Sequence, residues 1–408
     1  MSESVKLPVL DLPGGTVTSP AGFLAAGVRA GLKQTGLDVA LLVSEVPAAA
    51  AGVFTTSKVT AAPVQVSRRH LSSAAVRAIA ANSGNANACT GQPGLEAAER
   101  MCAIAAEALG VAPHEVLVAS TGIIGHPLPM DRIERGIRDA AGALTPEGGA
   151  DAALAIMTTD TVPKAHAVRV ALGGREVTVG GIAKGAGMIA PNMGTMFCFL
   201  TTDAAVEREA LQELLKWTVE RSFNSITVDG DTSTNDTVLA LANGCAGNAP
   251  VRQGTEEYAV LTAAFARVTR ELAIQLVRDG EGATKLTEVV VQEAASEPEA
   301  KQIAMTICNS LLVKTALFGG DPNWGRIAAA AGRAGAELDL ENLRLWIGDL
   351  LVLDGGTATD YSVREAEAAV AGDTVKIRLA AGVGEASWTA WTCDLSYDYV
   401  KINAEYHT

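Results

Sequence analysis

The side chains best suited to nucleophilic chemistry lie in one stretch, Lys184 to Asp203, KGAGMIAPNMGTMFCFLTTD. A glycine-spaced loop leads through Pro191-Asn192 to Gly194-Thr195-Met196. The short apolar run Phe197 to Leu200 then predicts a buried strand. Thr195 therefore stands where a polar loop enters a sheet. A threonine hydroxyl is a weak nucleophile without a base. One recurring solution makes threonine the first residue of a chain, so that its own α-amine serves. That amine titrates at roughly 7.7–8.0, close to working pH. The bond before Thr195 must then be cut, and Gly194 puts no side chain in the way of the attacking hydroxyl. The competing reading is an ordinary β-branched strand residue.

Other segments carry groups that could serve the same chemistry. Ser120-Thr121-Gly122-Ile-Ile-Gly125 follows an expected strand, Glu115 to Ala119, and a strand running into such a turn exposes the N–H groups that make oxyanion holes. The signal is weak alone, because strand-to-turn glycines are common. Glu281 stands between Gly280 and Gly282, which suits a substrate ammonium, although a solvated loop glutamate is commoner. The triplet Thr-Thr-Asp occurs at 158–160 and again at 201–203. The run Asp229 to Asp236 fails the calcium-loop template, with Thr234 at the sixth position and Ala240 at the twelfth. It reads as a polar loop that lines or braces a site. No dinucleotide loop, P-loop, HExxH or CxxC sequence occurs, and the five histidines show no triad context. No metal set and no cofactor are expected, and an amine-activated hydroxyl is favoured.

Bulk properties narrow the partners. The 408 residues suffice for two or three domain-sized units. A net charge of −14 argues against nucleic acid or anionic membrane as a partner. No apolar run approaches the roughly 20 residues that span a bilayer. The first residues, MSESVKLPVLDLPGG, lack the pattern of a signal peptide. The six scattered cysteines read as free buried thiols, and the expected location is cytoplasmic.

These groups must be positioned by alternating strands and helices. Residues 16–31 suit an entry loop. Strands are expected at Val39–Ser44, Val53–Thr56, Val64–Ser67, Ala165–Ala171, Glu176–Val179, Thr287–Val291, around Arg344–Val352 and at Val375–Leu379. Helices are expected at Ser72–Ala81, Leu95–Leu109, Asp131–Ala141, Ala150–Met157, Arg208–Phe223, Ala259–Arg278, Glu299–Ala316 and Ile327–Ala334. The asparagine-rich run Asn82 to Gly91 reads as a structured turn network, and the tail Tyr397 to Thr408 as packed. The fold class is α/β: a layered sandwich of mixed sheets flanked by helices over 1–285, with a smaller C-terminal α/β domain over 286–408.

The chain resembles the ArgJ-type ornithine acetyltransferases, also called glutamate N-acetyltransferases, over nearly its full length. The resemblance rests on NSGNANACTG (82–91), STGIIG (120–125), MTTDT (157–161), KGAGMIAPNMGTM (184–196), SFNSITVDGDTSTNDT (222–237), DGEGATK (279–285), GGDPNWGRI (319–327) and the tail KINAEYHT. It implies self-cleavage at Gly194–Thr195 into an α chain (1–194) and a β chain (195–408), associated as α2β2 or higher. Thr195 would accept acetyl from N-acetylornithine and pass it to glutamate. Thr121 and Gly122 would hold the oxyanion, and Thr158, Lys184, Thr195, Glu281, Asn403 and Thr408 would bind substrate. No cofactor is implied, and acetyl-CoA is left open as an alternative donor. Two positions depart from the common pattern: Gly194 replaces alanine, and KGAGM replaces KGSGM. The alternatives are an N-terminal-threonine amidase or aminopeptidase of the same fold that releases acyl groups to water, and an unprocessed binding protein.

Overall fold

The computed structural model describes residues 9–73, 75–190 and 196–405. Long strands and amphipathic helices form stacked layers, a mixed α/β architecture with two mixed sheets flanked by helices. The first sheet folds back on itself through one 16-residue strand, Val39–Phe54. The first half of that strand pairs with Phe23–Val28 and Val76–Asn85, and its second half with Thr237–Ala242. Beyond Thr237–Ala242 come Phe197–Thr202, Arg175–Lys184, Lys164–Leu172 and Leu10–Asp11. Beyond Val76–Asn85 lies Val116–Ile123, in parallel.

Alternating side chains explain the layers, because successive strand residues face opposite sides. Ile182, Phe197, Phe199, Leu239 and Leu241 point inward to meet Ile79, Leu117 and Ala119. Their neighbours Ala183, Cys198, Leu200, Val238 and Ala240 point outward under the helices Arg208–Glu220 and Glu256–Arg278. The helices Ala62–His70, Gly91–Leu109 and Met130–Gly142 cover the other outer face. The hairpin Lys164–Leu172/Arg175–Lys184 turns on Gly173 and Gly174, both at positive φ as a two-residue hairpin turn demands. A second, seven-stranded sheet carries most of the C-terminal chain on a core of its own, and takes Ile226–Thr227 as an edge strand beside Ala386–Cys393.

Several local expectations are corrected. Val64–Ser67 belongs to a helix, Ala62–His70. Two valines suggested a strand, but Pro63 sits in the first turn, where its missing N–H costs nothing. Within the expected helix Ser72–Ala81, the described residues from Val76 onward form a central strand, Val76–Asn85. Its alanines favour helix intrinsically, but pairing on both edges overrides that propensity. This strand also absorbs the first four residues of the asparagine run. The entry loop contains the strand Phe23–Val28. Glu299–Ala316 divides into Glu297–Cys308 and Leu311–Phe318, with Ser310 capping the second. The tail forms a helix, Tyr397–Glu405, with no fully buried residue, and it is held by partial contacts: the Tyr397 ring meets Phe318, and the Tyr399 hydroxyl donates to Asp229. Residues 406–408 of the tail fall outside the described residues. Cys89 and Cys245 are exposed, while the other four cysteines are buried.

Candidate active site

Lys184 ends its strand and pairs in register with Phe197, so the chain leaves and re-enters the sheet at one level. Its side chain follows the inward parity of Ile182 and crosses the interior toward the facing layer. There Lys184 Nζ donates to Thr158 Oγ1 at 2.7 Å and to Thr121 Oγ1 at 3.3 Å. The ammonium is buried, and burial pushes its pKa down. Asp160 and Asp236 oppose that shift, while Lys164 and Lys33 add to it.

Asp160 organises the floor beside Lys184. Its carboxylate accepts from Lys164 Nζ at 2.6 Å, from Gly185 N–H at 2.6 Å and from Thr158 N–H at 3.0 Å. Burial raises an isolated carboxyl's pKa, but here Lys184 and Lys164 outweigh it and hold Asp160 at about 2. Lys164 continues to Asp279 at 2.5 Å, two residues before Glu281. The two triplets therefore part company. Thr158-Thr159-Asp160 enters the site, whereas Asp203 braces the sheet by accepting from Thr178 N–H and Ala21 N–H.

The turn at Thr121-Gly122 needs glycine. Gly122 has φ +130° and pairs with Gly84, and a Cβ at 122 would lie 2.4 Å from the Gly84 carbonyl carbon. Asn235, deeply buried, donates to the carbonyls of Ala86 at 2.6 Å and Ser120 at 2.7 Å, tying both strand ends together. Only the part of the asparagine run beyond Asn85 is the expected turn, since Asn82 to Asn85 end a strand. The amides do tie the backbone: Asn82 donates to Asn85 O, Asn85 to His126 O and Pro127 O, and Asn87 to Gly94 O.

The polar loop 229–236 braces both flanks of the 184–203 stretch. Asp229 accepts from Met188 N–H at 2.6 Å and Ile189 N–H at 2.9 Å, and Asp236 accepts from Met196 N–H at 3.0 Å. Burial pushes both carboxyls up, Asp236 well above the ordinary range. Glu281 N–H donates to Ala186 O at 2.9 Å, and Asn403 Nδ2 donates to Glu281 Oε2 at 2.8 Å.

One cleft of about 110 Å³ collects these parts: Thr121, Gly122, Thr158, Gly187, Glu281 and Asn403 all line it. Lys184 lies behind Thr121 and Thr158. Gly194, Thr195 and Thr408 fall outside the described residues. A larger cavity, about 590 Å³ between Trp217, Arg221 and Trp388, shares no residue with this cleft. Convergence of titratable groups, rather than size, marks the smaller one as the candidate site.

The ArgJ family pattern matches residues 24–408. The chain belongs to the ArgJ family. It is 54% identical over 397 residues to the arginine biosynthesis bifunctional protein ArgJ of Symbiobacterium thermophilum, covering 97% of this chain and 99% of the relative. It is 50% identical over 405 residues to ArgJ 1 of Nostoc sp., covering 97% of this chain and 98% of the relative. Among solved structures, the ornithine acetyltransferase of Mycobacterium tuberculosis, complexed with ornithine, is 42% identical with a TM-score of 0.42. That match covers 45% of this chain and 98% of the solved one.

In this ArgJ chain the motif residues were legible, but their supports were mostly not. Lys164 sits in an alternating strand with no mark of its role. Asn235 and Asp236 were read only as members of a bracing loop, and Asp279 only as the start of the glutamate turn. Asp160 had one signal, its place in a repeated hydroxyl-carboxylate triplet. Among the described residues no helix is long and apolar enough to cross a membrane.

Proposed function

We propose that this ArgJ chain is a self-processing acetyltransferase that moves the acetyl group of N2-acetyl-L-ornithine to L-glutamate, in arginine biosynthesis. The observation that carries the substrate assignment is the pairing of opposite charges about one cleft. A buried ammonium, Lys184, stands behind two hydroxyls on one side, and the Glu281 carboxylate lies on another. That arrangement suits an amino acid with an α-carboxylate and a side-chain cation.

In this reading the Thr195 hydroxyl first attacks the Gly194 carbonyl. The peptide C–N bond breaks, and water releases the ester to leave chains 1–194 and 195–408. The new α-amine then serves as base. The Thr195 hydroxyl attacks the acetyl carbon of N-acetylornithine, its proton passes through the amine to the leaving ornithine nitrogen, and an acetyl-threonine ester remains. Glutamate's amine attacks that ester, and the hydroxyl recovers its proton. The N–H groups and hydroxyl at Thr121-Gly122 hold the developing oxyanion, where one donor typically lowers the barrier by about 2.7–4 kcal/mol. Thr158, Lys184, Glu281, Asn403 and Thr408 hold the substrates. No cofactor takes part in this cycle. The processed chains assemble as α2β2 or higher in the cytoplasm, with a main unit over 1–285 and a smaller one over 286–408.

Intact-mass spectrometry of the purified protein, with and without N-acetylornithine, tests this reading. The expected result is two chains, with an acetyl adduct on the one that begins at Thr195 and ornithine released in equal amount. Glutamate must then discharge the adduct as N-acetylglutamate. An uncut chain, or discharge only to acetate, would overturn it.

A further inference from the structure

The Glu281 carboxylate lies flat against a residue that has no side chain. A Cβ placed on Gly187 would stand 2.5 Å from Glu281 Cδ, 2.5 Å from Oε2 and 2.6 Å from Oε1, far inside van der Waals contact. The two loops are held edge to edge, because Glu281 N–H donates to Ala186 O at 2.9 Å. On the other side Asn403 Nδ2 donates to Oε2 at 2.8 Å. Downstream, Asp229 takes the N–H groups of Met188 and Ile189, so the glycine loop cannot easily back away. The carboxylate is thus seated between a fixed bare backbone and an amide, at the wall of the cleft that Gly187 also lines.

We propose that Gly187 is the positioning residue for donor specificity: its bare α-carbon lets Glu281 lie deep enough in the cleft to select an acyl donor whose side chain ends in a cation. The inference rests on the reading that Glu281 faces the substrate amine. Gly187 differs from glycines kept for their backbone. It is not among the positive-φ glycines, unlike Gly185 at +148° and Gly122 at +130°. An alanine therefore fits the backbone, and the three atoms nearest its Cβ are all at the far end of a flexible side chain. Gly187→Ala should fold normally and displace the carboxylate.

The test compares two donors with the processed enzyme: N-acetylornithine, and N-acetylnorleucine, which carries a methyl where ornithine carries its ammonium. The readout is the ratio of their kcat/KM values, with kcat and KM resolved. The wild type should prefer the cationic donor by about 100-fold or more, and Gly187→Ala should cut that preference by about tenfold or more through KM for N-acetylornithine, leaving the norleucine donor within about twofold. Glu281→Gln calibrates the complete loss of the charge, and circular-dichroism melts establish that each variant is folded. A wild type without preference sinks the underlying reading of Glu281. A folded Gly187→Ala enzyme with the preference intact, or one slowed equally toward both donors, sinks the role of Gly187 alone.

Discussion

The carboxylate of Asp160 stands 2.6 Å from the ammonium of Lys164, and neither side chain is more than 1% exposed. Lys164 also reaches Asp279, so one buried cation joins the Thr158–Asp160 turn to the loop that carries Glu281. Asp160→Asn would leave Lys164 and Lys184 sharing too little negative charge, and breaking such a buried pair costs about 3–5 kcal/mol. The loss should depend on pH. The folded pKa of Asp160, about 2, lies below the ordinary 3.8. Its stabilisation, about 2 kcal/mol on this basis, is therefore complete above pH 4 and fades as pH falls toward 2. Urea titrations at pH 7 and pH 3 should show a large gap between wild type and variant that narrows in acid. A gap that stays constant would refute the assignment of charge to Asp160.

Lys184 gives a second pH dependence. Burial lowers its pKa from 10.5, so a reaction that needs the ammonium should lose kcat/KM with rising pH before an ordinary lysine would deprotonate. Lys184→Met should reduce kcat/KM by about 100-fold or more, mostly through KM. Lys184→Arg keeps a cation throughout, since guanidinium titrates above about 12, and should move the alkaline limb upward. An unshifted limb in the arginine variant would assign that titration to another group.

Asn235 tests the turn at Thr121-Gly122 without touching it. Asn235→Ala leaves the Ala86 and Ser120 carbonyls without the donor they share, at about 1–3 kcal/mol for each buried group left unsatisfied. With the strand end loosened, kcat should fall by tenfold or more, at the scale of about 1.4 kcal/mol per decade, with KM little changed. A variant that loses stability but keeps kcat would confine Asn235 to a structural role.

How much of this was legible beforehand depended on the kind of signal. Thr121, Thr158, Glu281 and Asn403 lie in separate motifs, and those motifs did converge on one cleft. The hairpin delivering Lys184 followed from alternation and a glycine pair. The expected separate strands Val39–Ser44 and Val53–Thr56 are instead one continuous strand, Val39–Phe54, because its two halves pair with different neighbours. Ala62–His70 and Val76–Asn85 were exchanged in type, because valines and alanines carry propensities that pairing and packing override. Lys164 could not be placed in the site at all, and Asn235 only as one member of a loop expected to line or brace it. Their importance lies in partners more than a hundred residues away, Asp279 and Ser120, which no local pattern can display.

Thr195 carries the simplest test. Thr195→Ala should give one uncut chain on denaturing electrophoresis and no acetyl transfer. Thr195→Ser keeps a hydroxyl and an amine, and should cut and retain part of the activity. Transfer by the alanine variant would end the nucleophile proposal.

Asp236 accepts the Met196 N–H, the amide that follows Thr195, and its second oxygen is buried without a hydrogen-bond partner among the described residues. Burial raises its pKa well above 3.8, so the folded chain holds this proton to higher pH than the unfolded chain does, and an asparagine closely resembles the protonated carboxyl in shape. A raised folded pKa gives stability that is full below 3.8 and is lost as pH rises through the folded value. Asp236→Asn has no such loss. In an uncut Thr195→Ala background, the variant should match its parent near pH 4 and become progressively the more stable of the two toward pH 8. Thermal midpoints across that range decide it: parallel curves would mean that Asp236 is already ionised in the folded chain, balanced by Lys184.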